Sequence, residues 1–568
     1  MKRFSVLFLL NVVISWNAFA SLDSAAMARA KREWPVRTLY EISVQIDPAA
    51  QKYSGHETVT FHNRQKRSTN YVLFFVYPND PGLTKSDNRY LVVSKIMVNG
   101  IAAKSEETGP SLRVLLGQEL LPGKSATVEF DFEATIPAQK QNPDLFSEAM
   151  DELKRLLDPS KQSETDYGVF SSGKEILNLG LWYPILSKYD SDGWDEEKYS
   201  GLGDVTYFDP ADFKVRISVP AAFRVVTTGS ETGRVPSRDG TTTHQFESLM
   251  TRDFEVELGK NYSESTRLEN GTVLRAFYLP QHSRSGAITL DSAVKAFQFF
   301  DKEFGPYPYT ELDIVEAPLF GGAGGVEFPG LVTISSLLFK EDNPKQGDSL
   351  LQDLLAENPA FDQLLEFVVA HEVAHQWWNA VVGSNSKKFP FIDESMANYS
   401  AVLYFEHYYG REAAERQMAM QLKVNYQLHR MMGGQDKPVI LPASSYEGAL
   451  EYSAIVYGKG ALFFDHLRAL MGEAPFLSAV KTYYDAYWFD IAGPEDFKKV
   501  AQRKAPSKSP EIEALFQRWM NEMHGDEDIG AGSLEDLMRT VLSTNENLPA
   551  DQFKDLLNEL DNILKEKD

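Results

Sequence analysis

The stretch VVAHEVAHQWWNA, residues 368–380, combines an apolar helical run with His371, Glu372 and His375. Residues four apart lie on the same face of a helix, with about 5–6 Å between their β-carbons. The two imidazoles can therefore converge on one cation, and Zn²⁺ accepts such nitrogens at about 2.0–2.1 Å. Glu372 flanks that face, where it can reach a water held by the metal. The alternative is a pair of hydrogen-bonded core histidines on a buried helix.

A third ligand separates these two interpretations. Eighteen residues lie between His375 and Glu394, which begins a second predicted helix that ends at Gly410. Two helices packed antiparallel across such a connection can bring the Glu394 carboxylate to the cation. Two neutral histidines and one carboxylate leave Zn²⁺ a vacant position, and the pKa of a water there falls to about 7. The sequence predicts one catalytic Zn²⁺ per chain, bound by His371, His375 and Glu394.

HEVAHQWW followed by Glu394 resembles the HExxH-x18-E arrangement of the gluzincin aminopeptidases, the family of aminopeptidase N and leukotriene hydrolase. GGVEF at 324–328 resembles the G-x-M-E-N loop of that family, and YGKG at 457–460 resembles its Y-x-K-G segment. LNLGLWYPIL at 177–186 and DFKVRISVP at 212–220 are similar to its amino-terminal domain. Because several motifs occur in the same order, the resemblance is more specific than any one of them.

The resemblance covers roughly residues 38–520 and implies a zinc aminopeptidase that hydrolyses the amino-terminal bond of peptides. Zinc-activated water would be the nucleophile, and Glu372 would act first as general base and then as general acid. Tyr457 would stabilise the oxyanion, although Tyr452, five residues earlier, is a competing candidate.

The glycine-rich loop is the predicted amine site. Glu327, with Gly324 and Gly325, is expected to bind the free α-amine of a peptide that lies along the loop as an edge strand. Phe328 stands where the family usually has Asn, which leaves the details of amine recognition open. A second acidic contact to the amine is not assignable from the sequence.

Two other functions remain open. If Glu327 is structural, the protein is a zinc endopeptidase. If Phe328 and Ala401 weaken catalysis, it is a peptidase-like scaffold that binds peptides or protein partners; Ala401 occupies the place of an acid that often lies near the ligands in the family. Asn398, one turn after Glu394, is a possible substitute for that acid.

Composition restricts the partners and the compartment. The formal net charge of −24 argues against nucleic acid or an anionic membrane as the main partner. Residues 1–20 have the charged start, short apolar run and small-x-small end of a signal peptide. The chain has no cysteine, which excludes a lipoprotein anchor and disulfides. We therefore expect a periplasmic or secreted protein without stable membrane insertion.

The periodicity of apolar residues predicts a multidomain α+β protein. After the signal peptide, residues 21–37 are expected to form a linker, and 38–268 an amino-terminal β-sandwich-like domain with alternating strands. The resemblance implies a thermolysin-like α/β catalytic domain at 269–485. A short helical segment is expected at 486–568.

Overall fold

The computed structural model of the protein describes residues 25–139, 167–342 and 359–532. The predicted signal peptide and the part of the expected carboxy-terminal helical segment after residue 532 lie outside the described residues. The order of elements confirms the predicted fold class: a β-rich amino-terminal domain is followed by a mixed central domain and a helical carboxy-terminal region.

The amino-terminal domain is built from alternating strands. In β1 (Thr38–Asp47), Tyr40, Ile42, Val44 and Ile46 are buried while their neighbours are exposed, as the sequence pattern predicts. The other strands of this domain are β2 Lys52–His62, β3 Thr69–Phe75, β4 Leu91–Val98, β5 Ile101–Ala102, β6 Ser105–Thr108, β7 Ser111–Leu120, β8 Ser125–Thr135, β9 Phe170–Ser172, β10 Ile176–Leu179, β11 Ile185–Leu186, β12 Ala211–Pro220, β13 Arg224–Thr227, β14 Ser230–Pro236, β15 Thr241–Thr251 and β16 Val256–Gly259.

These strands form three sheets around one core. The large sheet has the order β14-β15-β12-β1-β2-β8-β4-β5, and the two smaller sheets have the orders β13-β16-β10-β9 and β11-β3-β7-β6. All neighbours in the large sheet are antiparallel except β1 and β12, which run parallel. The sheets bury a shared set of aromatic and aliphatic side chains between them.

The central domain contains a five-stranded sheet in the order β17-β18-β19-β21-β20. The edge strand β20 is the glycine-rich segment Gly325–Phe328, which pairs antiparallel with β21. The sequence places residues 263–268 in the amino-terminal domain, but here they belong to β17, which pairs with β18. The strands are β17 Ser263–Glu269, β18 Thr272–Tyr278, β19 Glu311–Ala317, β20 Gly325–Phe328 and β21 Leu331–Ser335.

Two helices of the central domain bear the histidines and the glutamate of the metal motif. We call Pro359–Ala374 the histidine helix and Glu394–Tyr409 the glutamate helix. The remaining α-helices are Ala25–Glu33, Pro81–Thr84, Ser283–Glu303, Arg411–Gln417, Val424–Met431, Ala449–Tyr452, Gly460–Met471, Glu473–Ala486, Asp496–Lys504, Ser509–Phe516 and Gly525–Asp528; Met418–Lys423, Ser453–Lys459 and Gln517–Asn521 are π-helical. Among the described helices, none is long and apolar enough to cross a membrane.

The histidine helix ends earlier than its apolar run suggests. The sequence predicts a helix to residue 380, but the regular helix stops at Ala374. Gln376 and Trp377 then donate to carbonyls three residues back, at 3.1 and 2.9 Å, and Asn379 has a φ of 140° that no α-helix tolerates. His375 therefore lies in the first turn beyond the helix.

The central domain and the carboxy-terminal helices share one hydrophobic core. Phe463 of the helix Gly460–Met471 packs on Phe516 and Trp519, which lie after the predicted domain boundary at residue 485. The predicted linker contributes to the same core, because Ala25–Glu33 is a helix whose Met27 and Ala30 are buried there. The linker interpretation of this part of residues 21–37 is therefore wrong.

Arg252 links the two domains. Its side chain is buried and donates hydrogen bonds to backbone carbonyls only, at 2.7–3.2 Å. One acceptor lies in the amino-terminal domain and the others follow the histidine helix or lie further along the chain: Phe208, Asn379, Ala380, Val381 and Asp490. A buried guanidinium with this many acceptors holds its loop segments in a defined position.

Buried carboxyl groups without hydrogen bonds distinguish the small sheet that contains β16. Glu257 on β16 is the cross-strand partner of Asn178 on β10, and Glu255, just before β16, is near enough to Glu257 for the two charges to interact. Both oxygens of each carboxyl, and both polar atoms of Asn178, are buried without a hydrogen-bond partner in the described part of the chain. Burial raises the pKa of both glutamates well above the usual value.

We expect the double change Glu255→Gln and Glu257→Gln to stabilise the protein increasingly as the pH rises. The folded state binds protons more tightly than the unfolded chain, so the stability due to these groups is present below a pH of about 4.5 and lost as the pH rises through their folded pKa. Urea unfolding of both forms between about pH 5 and pH 9 measures this difference. The exposed Glu133→Gln serves as a control, and parallel pH profiles for the double variant and the parent would contradict the expectation.

Candidate metal centre and active site

The histidine helix packs on the glutamate helix and brings three donor atoms together. The Nε2 atoms of His371 and His375 lie 3.1 Å apart, and Glu394 Oε2 lies 3.4 and 3.3 Å from them. A tetrahedral site with bonds of about 2.0–2.1 Å has edges of about 3.3–3.4 Å. All three side chains are buried, so the donor set and its spacing fit a zinc ion.

Hydrogen bonds around the ligands orient them. His375 Nδ1 donates to the carbonyl oxygen of Trp378 at 2.9 Å, which leaves its Nε2 unprotonated and directed at the other two ligands. Trp378 in turn donates from its indole nitrogen to Ser400 Oγ at 3.0 Å, on the glutamate helix. The turn after the histidine helix thereby connects the two ligand-bearing helices.

The start of the glutamate helix positions the third ligand. Asp393 caps the helix, because its Oδ1 accepts from the Glu394 backbone amide at 2.9 Å. The other oxygen of Asp393 accepts from Ser384 and Ser386, at 2.9 and 2.5 Å. This holds Glu394, the first residue of the helix and the predicted third ligand, in a defined place.

Glu372 lies beside the three donors on the side of the glycine-rich strand. It forms a second close group with His375 and Glu327, and its Oε2 is buried without a hydrogen-bond partner in the described residues. A β-carbon on Gly325 would lie 2.5 Å from the Glu372 side chain, so only glycine allows the strand to approach so closely. Burial raises the pKa of Glu372 to about 8.

Two tyrosines line the same cavity, and their surroundings differ. The ring of Tyr457 lies 5.8 Å from that of His371, and its hydroxyl interacts with Glu394. The Tyr452 hydroxyl is buried without a partner in the described residues, against Gly203 of the amino-terminal domain. Tyr457 is therefore the tyrosine next to the metal group, and Tyr452 is packed behind it.

Asn379 connects Glu327 with Asp204, an acid that belongs to none of the sequence motifs. Its side-chain nitrogen donates to Glu327 Oε1 at 2.6 Å and to Asp204 Oδ2 at 3.1 Å. Asp204 comes from a loop of the amino-terminal domain, so no spacing along the chain relates it to the zinc motif. The only hint in the sequence is its position after two glycines, in Gly201-Leu202-Gly203.

Asn379 itself has an unusual backbone conformation. Its φ of 140° is rarely adopted by a residue with a side chain and costs about 1–3 kcal/mol. Arg252 Nε donates to the Asn379 carbonyl at 2.9 Å, and the Asn379 amide donates to Val382 O at 3.0 Å. These contacts hold the residue in the orientation in which it reaches both acids.

A cavity of about 570 Å³ surrounds these groups, between the two domains. Its described lining includes five carboxyl groups and no lysine or arginine; the acids are Asp204, Asp253, Glu327, Glu372 and Glu394. The glycine-rich strand forms one wall and exposes its unpaired edge to the same space. The site can therefore hold an extended peptide against a metal.

Residues 288–519 match the family model described as "Peptidase family M1 domain". Residues 288–519 are therefore similar to the peptidase family M1 domain. This match includes the histidine helix, the glutamate helix and Tyr457, and it confirms the resemblance to the gluzincin aminopeptidases.

Two aminopeptidases of other organisms are identical to this chain at about a quarter of the residues in the matched stretches. Aminopeptidase M1-B of Oryza sativa subsp. japonica is 27% identical over 319 residues, which make up 55% of this chain and 33% of that protein. Aminopeptidase N of Lactobacillus delbrueckii subsp. lactis is 26% identical over 294 residues, 44% of this chain and 32% of that protein. The matches thus span about a third of the length of these relatives.

A solved structure has the same fold over most of the chain. The M1 zinc metallopeptidase from Deinococcus radiodurans superposes with a TM-score of 0.57, at 17% identity, over 88% of this chain and 94% of that one. A mutant of that protein bound to a Tyr-Ser-Ala substrate superposes with a TM-score of 0.55. The two-domain arrangement around the M1 domain is therefore shared with a known structure.

The departures from the family pattern have definite places in the fold. Phe328 is buried in the core of the amino-terminal domain, and its carbonyl accepts from Gln376 at 2.9 Å. Ala401 is fully buried in the glutamate helix. Asn398 donates to the carbonyl of Tyr457 at 2.8 Å, so it ties the tyrosine segment to the glutamate helix.

We expect Glu394→Gln to lower the affinity for Zn²⁺ by at least about 10²-fold, because it removes the single anionic donor of the set. Glu372→Gln should keep the metal, because Glu372 lies beside the donor set rather than within it. Elemental analysis after dialysis against a weak chelator measures zinc per chain in both variants. Equal zinc loss in the two variants would show that the ligand set is assigned wrongly.

Proposed function

We propose that the protein is a zinc-dependent aminopeptidase that removes the amino-terminal residue from peptides. The observation that carries the proposal is the pair of acids, Glu327 and Asp204, that share one nitrogen donor beside the three-donor metal group. A site with a metal activates a peptide bond, and an acidic pair a short distance away selects a free chain end.

The chemistry expected of a bound Zn²⁺ is Lewis-acid polarisation of the scissile carbonyl and of the attacking water. His371, His375 and Glu394 would hold it. Glu372 accepts the proton of the water at Oε2, the oxygen that has no other partner among the described residues, and passes it to the leaving amine. Gly325 allows the substrate strand to lie directly above this carboxyl.

Tyr457 would stabilise negative charge on the substrate carbonyl oxygen. Its ring lies 5.8 Å from that of His371, and Asn398 holds its backbone. Burial raises the pKa of Tyr457 well above the usual value, so the hydroxyl keeps its proton and remains a hydrogen-bond donor.

The edge strand β20 and the acidic pair position the substrate. A peptide can pair with β20 through backbone hydrogen bonds. Glu327 on that strand would then form an ion pair with the α-ammonium of the peptide. Asp204 supplies the second acidic contact that the sequence left unassigned. Asn379 holds the two carboxylates next to each other, so the amine site is preformed.

The compartment is part of this proposal. The signal-like residues 1–20 support action in the periplasm or outside the cell. Peptides with a free amino terminus are the proposed substrates.

We expect hydrolysis of aminoacyl arylamides that stops with chelator and returns with added zinc. Acetylation of the substrate amine should lower kcat/KM by at least about 10³-fold, because the acidic pair then faces no cation. Mass mapping of products from a long peptide, with its amino end free or acetylated, measures the same property. Equal cleavage of the two peptides at internal bonds would favour the endopeptidase, and no cleavage by zinc-loaded protein would favour the binding scaffold.

We expect Glu372→Gln to reduce kcat by about 10³-fold or more while zinc content stays at one per chain. Tyr457→Phe should reduce kcat with little change in KM, because its contact forms only in the transition state. Tyr452→Phe is the matched control and should have the smaller effect. A larger loss for Tyr452→Phe than for Tyr457→Phe would transfer the oxyanion role to Tyr452.

A further inference from the structure

Asp253 lies in the wall of the cavity and plays no part in the proposed mechanism. The residue is 5% exposed, and its Oδ1 is buried without a hydrogen-bond partner in the described part of the chain. A buried carboxylate is unfavourable unless a donor or a cation compensates it. A ligand group that enters the cavity is the available source of that compensation.

The neighbouring Arg252 does not neutralise Asp253 by contact. The guanidinium nitrogens of Arg252 donate to backbone carbonyls on both sides of the domain boundary, and the described ion pairs of the chain include none between these two residues. Arg252 therefore acts as a link between the domains, and its neighbour in sequence keeps an unpaired carboxyl group that faces the cavity.

The charge of the cavity favours a second cation on the substrate. The five carboxyl groups of the described lining can carry at most five negative charges, against three positive charges from one Zn²⁺ and one α-ammonium. No lysine or arginine is in the described lining, and the charge of Arg252 offsets only part of the rise in pKa that burial causes at Asp253. A substrate with one more positive charge brings the cavity closer to neutrality. In a site of low dielectric constant, this makes binding more favourable.

Asp253 and the proposed amine site line the same cavity. Asp204 is near enough that its charge raises the pKa of Asp253, so the two acids are neighbours in the cavity. Side chains of the amino-terminal domain with apolar surface line this cavity too: Val169, Leu181, Tyr199 and Val205. Methylene groups can pack on such a surface while a charged end continues to a carboxylate.

We propose that the cavity selects peptides whose amino-terminal residue has a cationic side chain, arginine or lysine, with Asp253 as the partner of that charge. The inference rests on the proposed aminopeptidase function and assigns its substrate class. Glu327 and Asp204 bind the α-ammonium, and Asp253 binds the guanidinium or ammonium of the side chain. A neutral residue of the same length leaves Asp253 buried and unpaired, so it binds less well in the transition state.

The decisive comparison uses substrates of one shape that differ in charge. Arginine and citrulline arylamides form such a pair, and we expect kcat/KM to favour arginine by about 10²-fold in the zinc-loaded protein. In Asp253→Asn the ratio of kcat/KM for arginine to that for citrulline should fall to about 3 or below, because the neutral amide cannot form an ion pair with the guanidinium. Lysine and norleucine arylamides test the same preference with an ammonium.

Two other variants separate Asp253 from general effects. Asp204→Asn should lower kcat/KM for arginine and citrulline substrates alike and so keep their ratio, because it acts on the α-ammonium that both share. Asp192→Asn, at an exposed position, should leave both values and the ratio as in the parent. The melting temperature of Asp253→Asn is measured alongside, and we expect it to equal or exceed that of the parent because an uncompensated buried carboxyl is removed.

A binding measurement distinguishes failure of this inference from failure of the proposed function. Calorimetry with free L-arginine and L-citrulline on the zinc-loaded protein should show tighter binding of arginine, even if no arylamide is hydrolysed. Hydrolysis of neutral substrates with no preference for arginine would overturn the selectivity while leaving the aminopeptidase intact. A ratio that is unchanged in a folded Asp253→Asn protein would remove Asp253 from this role.

Discussion

The packing of the histidine helix against the glutamate helix is the constraint on which the site depends. It brings the Nε2 atoms of His371 and His375 and the carboxylate of Glu394 to within 3.1–3.4 Å of one another, although the last donor is far along the chain. Three buried polar groups at this spacing are costly alone and favourable around a cation. The cap by Asp393 and the bond from His375 to Trp378 O hold the ligands in this geometry.

The second domain completes the site rather than only supporting it. Arg252 joins the loop after the histidine helix to the amino-terminal domain through backbone carbonyls, and the same loop contains Asn379. Asn379 has an unfavourable φ, and its side chain donates hydrogen bonds both to Glu327 on β20 and to Asp204 of the other domain. The proposed amine site lies where the two domains meet, so we expect a change that loosens this boundary to disturb substrate selection as well.

The amino-terminal domain also contains carboxyl groups that folding leaves without partners. Glu255 and Glu257 are buried between sheets, and Asp253, two residues before Glu255, faces the cavity. Of the three, Glu257 lies on β16, whereas Asp253 and Glu255 precede that strand. Burial raises the pKa of all three carboxyl groups.

The metal group and the alternating strands could be predicted from local pattern alone. Helical periodicity places His371 and His375 on one face, and period-two alternation predicts the buried face of β1, because both depend only on backbone geometry. The end of the histidine helix at Ala374 was not predictable in this way, since the apolar run continues to Val382 while the backbone leaves the α-helix after Ala374 and reaches a φ of 140° at Asn379.

The sequence by itself determined the chemistry of the ligands, because the spacing of the zinc motif reports helix geometry directly. The tertiary structure alone decided which other acids join them. Asp204 and Asp253 lie more than a hundred residues before His371 in the chain and are brought to the cavity by the contact between domains. No local pattern identifies such residues, because their role depends on which surfaces meet after each domain has folded.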